Sequence, residues 1–305
     1  MARHPLTLAL LLAAAPFGAS TAVADAVPAH DHVIVVVMEN KSYDAARIQP
    51  YTASLIPTGA LFTNSRGVAH PSQPNYFALW GGATMVSNDN CPPAGSPYTF
   101  TSLGRECTLA GKTWRTYSEN LGAVGSAACS FDGSASTGLY TRKHCPWVSY
   151  SNIDHSNERP YSDLAIDIAA NQLPNLAFVI PNNCHNSHNS TTPGCGIADA
   201  DFWLSQNLPA MITAAGPNGL VVLTWDEDDN SAGNHILTVF VGGLVAPGAV
   251  STRTVTHYTV LRTICDALGI ATVGSALGEL PITDVWMAPT PVKHGSWGAL
   301  KIRYH

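Results

Sequence analysis

The chain has little charge. Asp, Glu, Lys and Arg make up 12 % of its 305 residues, and the formal charge is −6. Reading nucleic-acid phosphates requires a basic stripe; none is present, so nucleic acid is not an expected partner. A phosphate-ester enzyme is not excluded, because bound cations can supply positive charge. Repeats, heptad seams and charge blocks are also missing, which leaves a single globular α/β domain as the fit to this length. No C-x-x-C occurs among the seven cysteines, which argues against zinc ribbons and thioredoxin-like chemistry. Past the N-terminus no uninterrupted apolar run reaches the ~18 residues of a membrane span, so no integral membrane segment is expected.

The N-terminus has the layout of a secretory signal. Arg3 gives a positive start, Leu6 to Phe17 a short apolar core, and Ala22-Val23-Ala24 a cleavage site before Asp25. Residues 1–24 are therefore expected to be a signal peptide and 25–305 the mature catalytic domain, secreted or periplasmic. An oxidising compartment allows disulfides. Chain neighbours suggest Cys91 with Cys107, Cys129 with Cys145 and Cys184 with Cys195; other pairings stay open. Cys265, in an apolar helical stretch, is expected to be a buried free thiol.

Short β-branched runs mark strands at Val33–Met38, Leu176–Ile180, Leu220–Thr224 and Ile236–Val241. Helical patterns fall at Ser162–Gln172, at Asp201–Ala215 with Pro209 kinking or interrupting it, and at Tyr258–Leu268 closed by Gly269. Alternation of this kind predicts a mostly parallel sheet with helices on both faces. Residues 87–156, rich in Gly, Ser, Pro, Cys and aromatics, break the pattern and are expected to form a disulfide-stapled insertion or cap over the active-site edge. Tyr98, Phe100, Trp114, Tyr117, Trp147 and Tyr150 in this region are expected to pack in the core and loops; contact with lipid is the other reading.

Two strands end in acid. Val33–Met38 runs into Glu39-Asn40, and Leu220–Thr224 into Trp225-Asp226-Glu227-Asp228-Asp229. In open α/β sheets, chemistry gathers outside the carboxyl ends of the strands. Buried carboxylates there need a cation or a hydrogen-bond network. One such end could be a helix start, with Asn40 as its cap, or a solvated loop. Two in one chain point to a metal site held by Glu39, Asn40, Asp226 and Glu227. Between them, His70-Pro71-Ser72-Gln73-Pro74-Asn75-Tyr76 leads into a helical run. Ser72 is then either a helix cap or a nucleophile at a positive helix end.

These blocks together resemble the bacterial phosphoesterase family of secreted acid phosphatases and phosphatidylcholine-type phospholipases C, within the alkaline-phosphatase-like superfamily. Glu39-Asn40-Lys41-Ser42-Tyr43-Asp44, Ser72-Gln73-Pro74-Asn75-Tyr76 and Thr224-Trp225-Asp226-Glu227-Asp228 carry the resemblance. His257-Tyr258-Thr259 is similar to the family's C-terminal His-Tyr-Ser/Thr helix. The resemblance implies an alkaline-phosphatase-like fold, Ser72 as nucleophile, and one or two divalent cations of unspecified identity. It matches His188 and Asp201 to a family His and Asp, and retains His235 although Asn234 replaces the Asp before it. Where the family implies Asp, this chain has His185 and Asn186; His185 is then a ligand or a loop histidine beside a disulfide. His188 or His235 would protonate the leaving alcohol. His70, His185, Asp201 and His257 would contact the substrate or support the site. His4, His30, His144, His155, His294 and His305 receive no role.

The implied reaction is hydrolysis of a phosphate monoester through a phosphoserine. No long C-terminal extension follows, which favours the short acid-phosphatase branch, with small phosphate esters and phosphoinositides as candidate substrates. A phospholipase C acting on a phospholipid head group is the alternative. An exported phosphate- or metal-binding protein without turnover is the alternative from another class. The sequence gives no oligomeric state.

Overall fold

The structure, a computed structural model, describes residues 26–135, 138–189 and 191–287. The expected signal peptide and the tail from Pro289 lie outside the described residues. The central sheet has eight strands: β1 (His32–Met38), β2 (Ala60–Phe62), β4 (Trp114–Ser118), β7 (Glu158–Pro160), β8 (Leu176–Ile180), β9 (Gly219–Trp225), β11 (Thr238–Gly242) and β12 (Ala249–Ser251). Their order is β12-β2-β11-β9-β1-β8-β4-β7, and only β11 runs against the others. A small second sheet joins β3 (Ser65–Arg66), β10 (His235–Ile236) and β13 (Val255–Thr256), and β5 (Ser130–Phe131) pairs with β6 (Tyr140–Thr141).

Both faces of the sheet are covered. Side chains alternate along a strand, so Val33, Val35 and Val37 of β1 face one core and Ile34, Val36 and Met38 the other. The first core holds α3 (Ser72–Gly81), α4 (Leu103–Leu109) and α7 (His257–Leu268). The second holds α1 (Tyr43–Arg47), α2 (Pro50–Leu55), α5 (Ser162–Ala169) and α6 (Ile197–Ala215). Helix α3 is buried along its whole length. It ends at Gly82 in the left-handed region (φ 70°), where a Cβ would stand 2.5 Å from the Val273 carbonyl oxygen. As expected, Gly269 closes α7 in the same conformation.

Three expectations change. Residues 87–156 do more than cap: they supply β4, an interior strand of the main sheet. The Trp-Arg-Thr-Tyr-Ser run is short and sits among turn residues, which hid its alternation. Pro209 does not interrupt α6, which continues to Ala215. Pro209 is exposed, on the side of the helix away from the buried Leu204, Leu208 and Met211, so its missing N–H costs no bond inside the core. The expected strand Ile236–Val241 divides at Leu237, its first part joining the small sheet and its second the large one. Of the six aromatics, five are buried as expected, and Phe100 is 62 % exposed.

The disulfides are Cys91–Cys129 and Cys184–Cys195. Only the second agrees with pairing of chain neighbours. Cys107 and Cys145 are buried in the first core with Cys265, and all three are free thiols. Cys91 lies in the loop after α3 and Cys129 just before β5, so the bond ties two loops instead of reaching into the core. Titration with a thiol reagent should find no reactive thiol in the native protein and three after unfolding without reductant. The neighbour pairing would give one.

Candidate active site

The register of the parallel strands builds the site. Met38 of β1 stands beside Trp225 of β9, so the next residues, Glu39 and Asp226, emerge side by side. The Asp226 N–H donates to the Met38 carbonyl, and the Asn40 N–H to Asp226 Oδ1 at 3.2 Å. Glu39 continues the odd-numbered face of β1, which looks toward α3. Asn40 has a left-handed backbone (φ 40°) and caps no helix; Ser42 is the residue before α1.

Ser72 is the first residue of α3. It does not cap the helix, because Pro71 occupies that position. Its hydroxyl faces Glu227 Oε1 at 2.9 Å, Glu39 Oε2 at 3.1 Å and Asn40 Oδ1 at 3.4 Å. One turn later, Tyr76 donates to Glu39 Oε1. His70 pairs through Nδ1 with Glu227, and its Nε2 lies 3.4 Å from Asp228 Oδ1.

Oxygen crowds the site and protons are few. One serine proton faces two carboxylate oxygens, of Glu227 and Glu39. The Asn40 amide oxygen also faces Glu39 Oε2 at 2.5 Å and Asp226 Oδ1 at 3.3 Å; without a cation, the amide nitrogen would be the better fit there. Asp226 Oδ2 is buried with no hydrogen-bond partner. Oxygens converging in this way are the donor set of a hard cation. A second group lies behind it: Glu39, His144 and His188 offer ligand atoms within 4.8 Å of one another. His144 Nδ1 bonds to Thr141 Oγ1, which leaves Nε2 facing Glu39 Oε1 at 3.0 Å. The residues present therefore fit a metal ion, with Glu39 between the two groups.

The electrostatics agree. Burial, only partly offset by Lys143, raises the Glu39 carboxyl to about 7. Burial and the neighbouring Asp226 raise Glu227 to about 7. Burial and Glu39 hold Asp226 well above the usual carboxylate range. Burial and the adjacent Lys143 keep His144 neutral, and His188 is lowered for the same two reasons. Lys143 is opposed by burial, yet Glu39 and Asp89 hold it above its ordinary value.

The other expected residues sit farther out. His257 donates through Nε2 to the Asp226 backbone carbonyl at 2.5 Å, and burial pushes it down to about 4. His235 bonds to the Thr63 carbonyl and stacks on Tyr43 at 4.4 Å, so its contacts lie away from Ser72. His185 pairs with Glu119 at 2.8 Å beside Trp203, also away from the carboxylate cluster. Asp201 has a structural position: it accepts the Tyr51 and Thr52 N–H groups and the Thr52 hydroxyl, closing the start of α2 from a neighbouring helix. Sequence reasoning missed His144, which it gave no role, and also Lys143, Asp89 and Tyr76 as site groups. Tyr76 was legible as the helical i+4 partner of Ser72. The Lys143-His144 pair lies in a 3-10 turn with no periodic signal.

Two predictions follow from these contacts. Asp201→Ala should lower stability by about 2 kcal/mol, through lost capping, and leave turnover at wild-type level; thermal unfolding and kinetics check both. In the metal-free folded protein the raised carboxyls keep protons up to about 7, while His144, His188 and His257 are lowered and act with the opposite sign on overall stability over the same range. The carboxyl contribution is therefore read through metal binding, which must displace those protons. An added divalent cation should raise the melting temperature more in mildly alkaline than in mildly acidic solution. Equal shifts on both sides would contradict this origin.

Comparison with known proteins fits this geometry. The Phosphoesterase family matches residues 45–271. A phosphatidylinositol-3-phosphatase of Mycobacterium tuberculosis is 39 % identical over 268 residues, covering 86 % of this chain and 85 % of its own. An acid phosphatase of Aspergillus fumigatus is 28 % identical over 251 residues; this chain is covered for 78 % and that longer protein for 55 %. Among solved structures, a protein of the alkaline phosphatase superfamily from Vibrio parahaemolyticus aligns with a TM-score of 0.60 at 11 % identity, over 86 % of this chain and 73 % of that one. Murine ectonucleotide pyrophosphatase/phosphodiesterase 5 aligns at 0.54 and 10 % identity, over 80 % and 96 %. These two likenesses establish the fold. The family match covers most of the chain and takes in Ser72, His188 and the Asp226-Glu227 strand end: the chain belongs to the Phosphoesterase family, on an alkaline-phosphatase-like fold.

Proposed function

We propose that this protein hydrolyses phosphate monoesters by way of a phosphoserine on Ser72, with one or two divalent cations in the site. The broader class, phosphoric monoester hydrolase, rests on the family and on its phosphatase relatives. The observation that carries the finer reading is the Ser72 hydroxyl at a helix start among Glu227, Glu39 and Asn40. Glu39, Asn40, Asp226 and Glu227 would hold one ion; Glu39 with His144 and His188 would hold a second only with the His188 Nε2 lone pair released from Lys143. A bound cation supplies charge neutralisation for the phosphoryl oxygens and favours the alkoxide.

The chain's own groups move the protons. Ser72 Oγ bonds to phosphorus as the ester oxygen leaves, and the serine proton passes to Glu227 Oε1, 2.9 Å away. His70, paired with Glu227, delivers a proton to the departing alcohol. Water then cleaves the Ser72 phosphoester, releasing inorganic phosphate and restoring the hydroxyl. The relative named for phosphatidylinositol 3-phosphate makes phosphoinositide monoesters a substrate class to test. Export is proposed from the signal-like N-terminus and the two disulfides. Among the described residues, no helix is long and apolar enough to cross a membrane.

Hydrolysis of p-nitrophenyl phosphate by wild type and Ser72→Ala tests the assignment. Loss of roughly three orders of magnitude or more in kcat is expected, with acid-stable phosphate on the wild type after quenching. Retained turnover in Ser72→Ala would sink the nucleophile. Vesicles of phosphatidylinositol 3-phosphate and of phosphatidylcholine, assayed beside it, separate a monoesterase from a phospholipase C.

A further inference from the structure

Beside Ser72 there is an anion seat, and the chain fills it with its own carboxylate. Asp89, in the loop after α3, accepts the Gln73 backbone N–H through Oδ1 at 2.9 Å and the Lys143 ammonium through Oδ2 at 2.8 Å. Gln73 follows the nucleophile, and its N–H is one of the donors that the first turn of a helix leaves without an intrahelical partner. Lys143 is 6 % exposed, and its only other bond among the described residues is to His188 Nε2 at 3.0 Å. An unpaired ammonium so deep would be costly, so an anion belongs there. A helix-start N–H next to the nucleophile and a buried ammonium are the donors a phosphoryl group requires. The Asp89 side chain is the exposed partner, at 27 % against 7 % for Lys143, so it can leave toward solvent.

The single Gln73 N–H makes the two occupants exclusive, and the charge around it, even with a cation offsetting part of it, adds to this. Glu39, Asp226 and Glu227 already surround Ser72, and a phosphate monoester brings about −2 more. Lys41 sits nearby but is engaged with the Asn40 and Ser187 carbonyls. Lys143 is the ammonium left for substrate, and Asp89 neutralises it. The loop does not depend on this carboxylate, because the Gln73 side-chain amide, with its nitrogen toward them, holds the Asn88 and Asn90 carbonyls on either side, and Cys91 is disulfide-bonded.

We propose that Asp89 is an internal stand-in for the phosphoryl group: it occupies the seat made by the Gln73 N–H and Lys143, yields it to substrate, and returns to help expel inorganic phosphate. This rests on the reading of Ser72 as the nucleophile of a phosphatase. The test is equilibrium dialysis with radiolabelled inorganic phosphate, at one fixed divalent-cation concentration, on wild type, Asp89→Asn, Asp89→Ser and Lys143→Met. Removing one screened like charge should tighten phosphate binding roughly fivefold in both Asp89 variants, and Lys143→Met should weaken it. Unchanged or weaker binding in folded Asp89 variants would overturn the proposal and make Asp89 only a holder of Lys143. Wild-type crystals grown with inorganic phosphate give a check without substitution. A phosphate oxygen should replace Asp89 at the Gln73 N–H; phosphate bound near Ser72 with the Asp89–Gln73 bond intact would overturn it. Failure of wild-type turnover on p-nitrophenyl phosphate would remove the enzymatic reading, while the binding data would still decide who occupies the seat.

Discussion

Three carboxylates share one buried space around one serine hydroxyl. Glu39 and Asp226 are wholly inaccessible and Glu227 nearly so. Water cannot solvate them there, and each raises the cost of ionising the others. Tyr76, His70 and the Asn40 N–H satisfy some of their oxygens, but Asp226 Oδ2 remains bare. An interior that concentrates negative charge without matching protons is built for a cation, and the rest of the fold serves to keep it in place.

That service comes from rigid elements. β1 and β9 are paired along their whole lengths, so Glu39 and Asp226 cannot shift relative to each other without breaking a ladder buried on both faces. Helix α3, enclosed on all sides, brings Ser72 and Tyr76 against the same point. Trp80 packs against Trp114, Trp147 and Phe178, fixing that helix at its far end. A close-packed support of this kind transmits strain, so changes deep in this core should be felt at the nucleophile.

What was legible in the sequence followed from local physics. Four strand signals, the α7 stop at Gly269 and the acidic strand ends each depend on neighbouring residues, and with the family motifs they led to the fold and to Ser72. The misreadings depend on tertiary neighbours. Cys129 has Cys145 as a chain neighbour, but Cys145 lies in the core near Ser118 while Cys129 meets Cys91. Asp201 matched a family position, yet its carboxylate closes the start of α2, about 150 residues back along the chain. His144 looked like an unassigned loop histidine because its partner Glu39 is supplied by a strand far earlier in the chain.

Lys143 and His144 show why such pairs cannot be read locally. They are consecutive, both buried, and opposite in character: one remains an ammonium because Glu39 and Asp89 outweigh its burial, the other a neutral imidazole because of burial first and that adjacent ammonium second. A protonated His144 would place a second positive charge beside Lys143, while a neutral Lys143 would leave Asp89 and Glu39 without their nearest cation. The dipeptide thus divides its labour, with His144 offering a lone pair toward Glu39 and Lys143 offering protons toward His188 and Asp89. That division separates a face suited to cations from a face suited to anions within one turn of chain, and Ser72 and Gln73 stand where the two faces meet.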